Sequence, residues 1–65
     1  MKELNAAIIH LKDVTSLNFN VDGNLVFRQV GEFLHIDNDG KTLASVATSE
    51  ISYIEYFYSE AESKQ

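Results

Sequence analysis

The side chains in this 65-residue chain best equipped to bind a metal or move a proton are its two histidines, His10 and His35. Paired across neighbouring strands and joined by a carboxylate, they could hold a metal ion, but neither stands at a ligand spacing from another donor. Cysteine is absent, which removes thiolate metal sites and disulfides. The run Asp37-Asn38-Asp39-Gly40 resembles a calcium loop at first sight. With Gly40 at the sixth loop position, however, the first ligand would be His35 and the last Val46, where an EF-hand needs an acid at both ends. The run therefore reads as a hairpin turn, and Asp22-Gly23-Asn24 reads the same way. Serines and threonines are scattered through the chain, at Thr15, Ser16, Thr42, Ser45, Thr48, Ser49, Ser52, Ser59 and Ser63. None sits in a nucleophile elbow, and no glycine-rich loop could cradle a phosphate. No pair of carboxylates has a context suited to acid–base work, and a domain this small has little room for a deep pocket. No catalytic residue, no metal ligand and no cofactor is expected.

The most distinctive chemistry lies near the C-terminus. Between Glu50 and Glu62 the chain carries Tyr53, Tyr56, Phe57 and Tyr58 among Glu50, Glu55, Glu60 and Glu62, with no basic residue. Tyrosines set among acids form an adhesive recognition surface, because aromatic side chains supply large contact areas at interfaces. Tyr53, Glu55, Tyr56, Tyr58 and Glu60 are therefore the candidate interface. An inhibitor that mimics DNA would show the same composition. So would a terminal strand that puts its aromatics in the core and its acids in water.

The elements that must position these residues read as strands. Thr15, Leu17, Phe19 and Val21 alternate with Ser16, Asn18 and Asn20, the pattern of a half-buried strand. Leu25 to Val30 is rich in β-formers, Phe33 to Asp37 alternates, and Lys41 to Thr48 alternates loosely. Ile51 to Tyr58 is dominated by branched and aromatic residues. Asp-Gly pairs at 22–23 and 39–40 predict tight hairpins, since such turns need positive φ at their centre. Gly31-Glu32 predicts a bulge or short turn. The N-terminal segment fits two periods. Leu4, Ala7, Ile8 and Leu11 fall at helical spacing, whereas Ala7, Ile9 and Leu11 share one face of a strand. No capping residue precedes Lys2, so the strand is preferred. The C-terminal segment has a similar ambiguity, with Tyr53, Phe57 and Ala61 four apart, and its branched and aromatic run favours strand to at least Phe57. Residues 59–65 are polar and expected to fray. The fold class predicted is all-β: a small antiparallel meander or barrel-like sheet of five to six short strands, in one domain spanning residues 1–65.

Composition narrows the partners. Hydrophobic residues make up 45% of the chain, the level of a globular protein. A chain this short buries about 60% of its unfolded surface, and without disulfides or a metal the expected support is self-association into a homo-oligomer. Residues 1–32 carry three bases (Lys2, Lys12, Arg28) against four acids, net −1, and residues 33–65 carry two bases (Lys41, Lys64) against six acids, net −4. That acidity disfavours direct binding to nucleic acid, which needs a basic footprint, and to an anionic membrane surface. The opening residues contain no apolar stretch long enough for a signal peptide or membrane span, so a cytoplasmic location is expected.

The strings Ile9-His10-Leu11-Lys12-Asp13, Phe33-Leu34-His35-Ile36, Asp39-Gly40-Lys41-Thr42 and Ile51-Ser52-Tyr53-Ile54-Glu55 together resemble small uncharacterised proteins encoded in phages and prophages of Gram-positive bacteria. Those proteins read as an I-H-L-K-D hairpin, a central hairpin with an Asp-Gly turn and a final I-x-Y-I-E strand. One departure matters: Asp13 is followed by Val14 rather than glycine. Valine resists positive φ, so the first turn is expected to be wider, or replaced by a bend. The resemblance implies a phage context and no activity. The function expected is that of a small non-enzymatic accessory protein that binds proteins, itself or a host partner. A structural assembly subunit and an acidic DNA-mimicking inhibitor are the alternatives.

Overall fold

The computed structural model describes residues 2–60. Six strands form: β1 (Lys2–Leu11), β2 (Ser16–Asn20), β3 (Leu25–Val30), β4 (Phe33–Asn38), β5 (Lys41–Ala47) and β6 (Ile51–Glu60), with a 3-10 turn over Thr48–Glu50 before the last. They make two antiparallel three-stranded sheets, β2-β1-β6 and β3-β4-β5, rather than the one continuous meander or barrel-like sheet expected. The reason lies at two connections. Val21–Asn24, after β2, and Thr48–Glu50, after β5, each carry the chain from one sheet to the other. The second sheet is thus inserted between β2 and β6, and the two terminal strands pair with each other.

The N-terminal segment is a strand throughout, and the helical alternative is not adopted. β1 lies at the centre of its sheet, paired with β2 on one side and β6 on the other. A strand puts Ala7 and Ile9 on one face, and both are completely buried; a helix would have turned Ile9 away from Ala7. Ser59 and Glu60, expected to fray, belong to β6, where Glu3 pairs with Ser59 and Lys2 with Glu60. The rest of the expected fraying tail, 61–65, lies outside the described residues.

One core joins the sheets. Ala7 and Ile9 from the first meet Leu25, Ile36 and Val46 from the second, with Leu17, Phe19, Phe27, Ala44, Ile51 and Ile54 packed around them. The body is thin and elongated, 45 × 22 × 14 Å, which leaves room for a single layer of side chains between sheets stacked about 10 Å apart.

The turns follow local chemistry with two departures. At Asp39-Gly40 both central residues have positive φ, 56° and 77°, as a type I′ hairpin demands. Gly31 has φ 61° while Glu32 does not join it, and Val30 pairs directly with Phe33, the pattern of a type II′ turn with glycine first. Asp22-Gly23, by contrast, makes no hairpin, because β2 and β3 belong to different sheets and Gly23 is not in the left-handed region. The amide of Val21 instead bonds the carbonyl of Asn5 at 2.8 Å, and the Leu4 amide donates to Asn24 Oδ1 at 2.8 Å. The second departure is Val14, which does adopt positive φ, 66°. Its amide bonds the Leu11 carbonyl at 3.2 Å and the Leu11 amide bonds the Thr15 carbonyl at 2.9 Å. This is a three-residue hairpin loop with valine where glycine is customary.

Candidate functional site

β6 is an edge strand, and it carries every residue of the expected interface. Strand alternation divides them between two faces. Ile54 lies opposite Ile9 and Tyr56 opposite Ala7, so Ile54, Tyr56 and Tyr58 share the side that faces the second sheet. Tyr53 lies opposite His10, Glu55 opposite Ile8 and Phe57 opposite Ala6, so these three share the outer side. Glu60, paired with Lys2, follows Tyr58 on the inner side at the strand's end. The five candidate residues therefore do not form one patch; they lie along one edge and reach both of its faces.

On the outer face, His10 and Tyr53 stack with ring centroids 4.1 Å apart and planes 11° from parallel. His10 Nε2 also contacts Glu55 Oε1 at 2.7 Å. The imidazole thus holds two of the candidate residues in place. On the inner face, the Tyr56 ring meets Phe27 of the second sheet, centroids 5.7 Å apart and tilted by 48°. Even so the aromatics of β6 remain open to solvent: Tyr53 is 55% exposed, Tyr56 49%, Phe57 44% and Tyr58 59%. All three tyrosines of β6 therefore lie at the surface. Phe57 was not among the candidates, although its alternation with Tyr53 and Glu55 places it on their face.

The histidines do not meet. His10 projects from the outer face of the first sheet, opposite in sense to buried Ile9, and His35 from the outer face of the second, opposite in sense to buried Ile36. His35 Nδ1 instead contacts Ser45 Oγ at 2.6 Å. Beside it, Arg28 Nε donates to Asp37 Oδ2 at 2.9 Å and Thr42 Oγ1 donates to Asp37 Oδ1 at 2.9 Å. Arg28, and then the Thr42 hydroxyl, hold the Asp37 carboxyl below its ordinary range. In the first hairpin Asp13 accepts from the hydroxyl of Thr15 at 2.6 Å and its amide at 3.1 Å, and those bonds lower its pKa too. Both aspartates are acceptors in turn and cross-strand networks. Among the described residues, no group of three or more histidine, aspartate or glutamate side chains converges as a metal site would require, and no helix is long and apolar enough to cross a membrane.

Two shallow hollows lie at the ends of the body. One is lined by Asp22, Gly23, Asn24, Asn38 and Asp39, where the loop crossing between sheets meets the type I′ turn. The other lies beside the strained hairpin, between Val14, Thr15, Ser52 and the His10–Tyr53 stack. Compared with known protein families, curated proteins and solved structures, the chain matches none.

Proposed function

We propose that this chain is a non-enzymatic protein-binding module that acts through the β6 edge and associates with itself there. The observation that carries the reading is the open side of β6. Along residues 51–59 the backbone donors and acceptors that point away from β1 meet no strand among the described residues. Natural edge strands are usually protected by lysine, proline or shortness. β6 has no lysine or proline and is ten residues long; its guards are the acids Glu55 and Glu60 and the register shift at Ser52, and its aromatic side chains are half exposed along it. The other edges are better guarded: β2 is five residues long, β5 begins with Lys41, and β3 carries Arg28. Among the described residues only five hydrophobic residues are buried, so the chain stands to gain much from added burial. Strand addition supplies such burial, main-chain hydrogen bonds giving affinity and alternate side chains giving specificity. The phage context implied by the resemblance suits an accessory protein of this kind.

The DNA-mimic reading is less well supported by the geometry. Within β6, Glu55 and Glu60 stand five residues apart, roughly 16 Å at the usual strand rise, whereas duplex DNA carries a charge about every 1.7 Å of axis. Glu55 is moreover paired with His10.

Light scattering coupled to size exclusion, run over a range of concentrations, tests the proposal. The expected result is a dimer or larger species for the native chain, and a shift to monomer when Tyr56→Ala and Tyr58→Ala are combined. A native chain that stays monomeric throughout, or a double variant that associates as before, overturns the role given to β6.

A further inference from the structure

We propose that the open side of β6 takes an extended basic peptide of a partner protein, one in which basic and apolar side chains alternate. This rests on the reading of β6 as a binding edge and adds the chemistry of the foreign strand.

Charge names the occupant. From Glu50 to Glu62 the chain carries four acids and no base, within a net charge of −5. Lys2 and His10 are close in space, but they stand on β1, opposite Glu60 and Tyr53, on the side of β6 that is already covered. A second copy of β6 brings main-chain partners to the open side and no base to Glu55. A basic strand brings both, and opposite charges across a strand pair are stabilising where like charges are not. It is therefore expected to displace a second copy from the edge.

The two faces of β6 set the pattern of the peptide. In an added strand successive side chains point to opposite faces of the extended sheet, and such alternation confers specificity in strand addition. On the outer face Glu55 stands between Tyr53 and Phe57 along the strand, with those rings 55% and 44% exposed. A lysine or arginine laid there meets a carboxylate flanked by two aromatic rings, an ion pair reinforced by cation–π contact. His10 Nε2 lies 2.7 Å from Glu55 Oε1, and a carboxylate has acceptor capacity for further donors. On the inner face Ile54, Tyr56 and Tyr58 are apolar or aromatic and uncharged. Tyr56 already packs against Phe27, ring centroids 5.7 Å apart, and apolar side chains of the peptide extend that layer. One alternation of the peptide is thus basic and the other apolar, in either strand direction. The contact is confined to residues 53–58, beyond the register shift at Ser52.

Fluorescence anisotropy tests this with three dye-labelled peptides titrated with the native chain. The probe is Lys-Val-Lys-Val-Lys-Val-Lys. Its controls are Lys-Lys-Lys-Lys-Val-Val-Val, of equal composition and charge, and Glu-Val-Glu-Val-Glu-Val-Glu. Several cross-strand pairs together amount to about a tenfold preference for the alternating basic peptide over the block peptide, and the acidic peptide is expected not to bind. Glu55→Gln is expected to weaken binding several-fold and to reduce its salt sensitivity. Tyr56→Ala combined with Tyr58→Ala is expected to abolish it, with folding of each variant checked by circular dichroism. Methylating alternate backbone amides of the probe separates strand addition from loose charge attraction, because only one alternation of amides faces β6. Binding retained by both methylated forms overturns strand addition, and equal binding of the alternating and block peptides overturns the pattern. Probe binding unchanged by Glu55→Gln and by the double tyrosine variant overturns β6 as its site. No probe binding, in a chain whose self-association is lost on combining Tyr56→Ala with Tyr58→Ala, overturns the basic partner and leaves β6 as the association edge.

Discussion

The His10 ring lies flat on the Tyr53 ring, centroids 4.1 Å apart, across the β1–β6 pairing that ties the two ends of the chain together. Cross-strand pairs of this kind contribute about 0.2–1 kcal/mol, and aromatic contacts add about 0.5–1.5 kcal/mol beyond buried area. Replacing His10 with alanine is expected to lower stability by about 1 kcal/mol, read from the midpoint of urea denaturation. A double-mutant cycle with Tyr53→Ala is expected to show coupling of about 0.5–1 kcal/mol. Independent effects of the two substitutions would mean that the stack contributes nothing in solution.

Val14 invites a stabilising substitution. It is 97% exposed, so burial gives nothing back for its left-handed backbone. A non-glycine residue there costs roughly 1–2 kcal/mol, offset in part by the greater freedom glycine has in the unfolded chain. Val14→Gly is expected to raise stability by about 0.5–1 kcal/mol and to leave the Leu11–Thr15 hydrogen bonds intact. A fall in stability would show that the hairpin takes a different turn in solution.

How far the fold could be read in advance depended on the range of the interaction. The four inner strands were legible, because alternation is a local property: Leu17 and Phe19 inward, Asn18 and Asn20 outward; β1 and β6 also fitted a helical period, and residue type rather than alternation favoured strand there. Asp39-Gly40 was legible because two adjacent residues suffice for a type I′ turn. Asp22-Gly23 misled for the same reason. The dipeptide is identical, yet Gly23 lies where the chain leaves one sheet for the other and its neighbour in space is Asn38, whose Nδ2 would stand 3.4 Å from an added Cβ. Partition into two sheets hinges on β1 choosing β6, with Ile9 opposite Ile54, and no local pattern encodes a pairing so distant in sequence. The candidate interface was legible as composition. Its division between two faces was already present in the alternation of Tyr53, Glu55 and Phe57 with Ile54, Tyr56 and Tyr58. What alternation could not supply was which side of β6 is covered by β1.

The core is small enough that single methylene losses should register. Ile9 and Ile36 are the largest fully buried side chains and come from opposite sheets. Ile36→Val is expected to cost about 0.5–1.5 kcal/mol and Ile36→Ala about 2–5 kcal/mol, the latter a large share of the stability of a domain this size. Circular dichroism in urea would show Ile36→Ala largely unfolded or sharply weakened. Near-native stability of that variant would indicate that the two sheets do not share the core.

The Arg28–Asp37–Thr42 network should make stability sensitive to acid in a defined direction. Hydrogen bonds from Arg28 and then Thr42 place the folded-state pKa of Asp37 below its ordinary value of 3.8. The folded chain therefore releases that proton more readily than the unfolded chain, and stability rises with pH through this interval. The contribution is fully present above the ordinary value and is lost as pH falls through the lowered one. Arg28 is half exposed, its side chain at 48%, so salt will weaken the effect. Asp37→Asn removes the titrating group and keeps the shape. It is expected to be less stable than the native chain at neutral pH, with the gap closing below pH 3.8. Urea denaturation of both proteins from neutral to strongly acid pH measures this. A gap that stays constant across that range would show that Asp37 acts through packing and not through its charge.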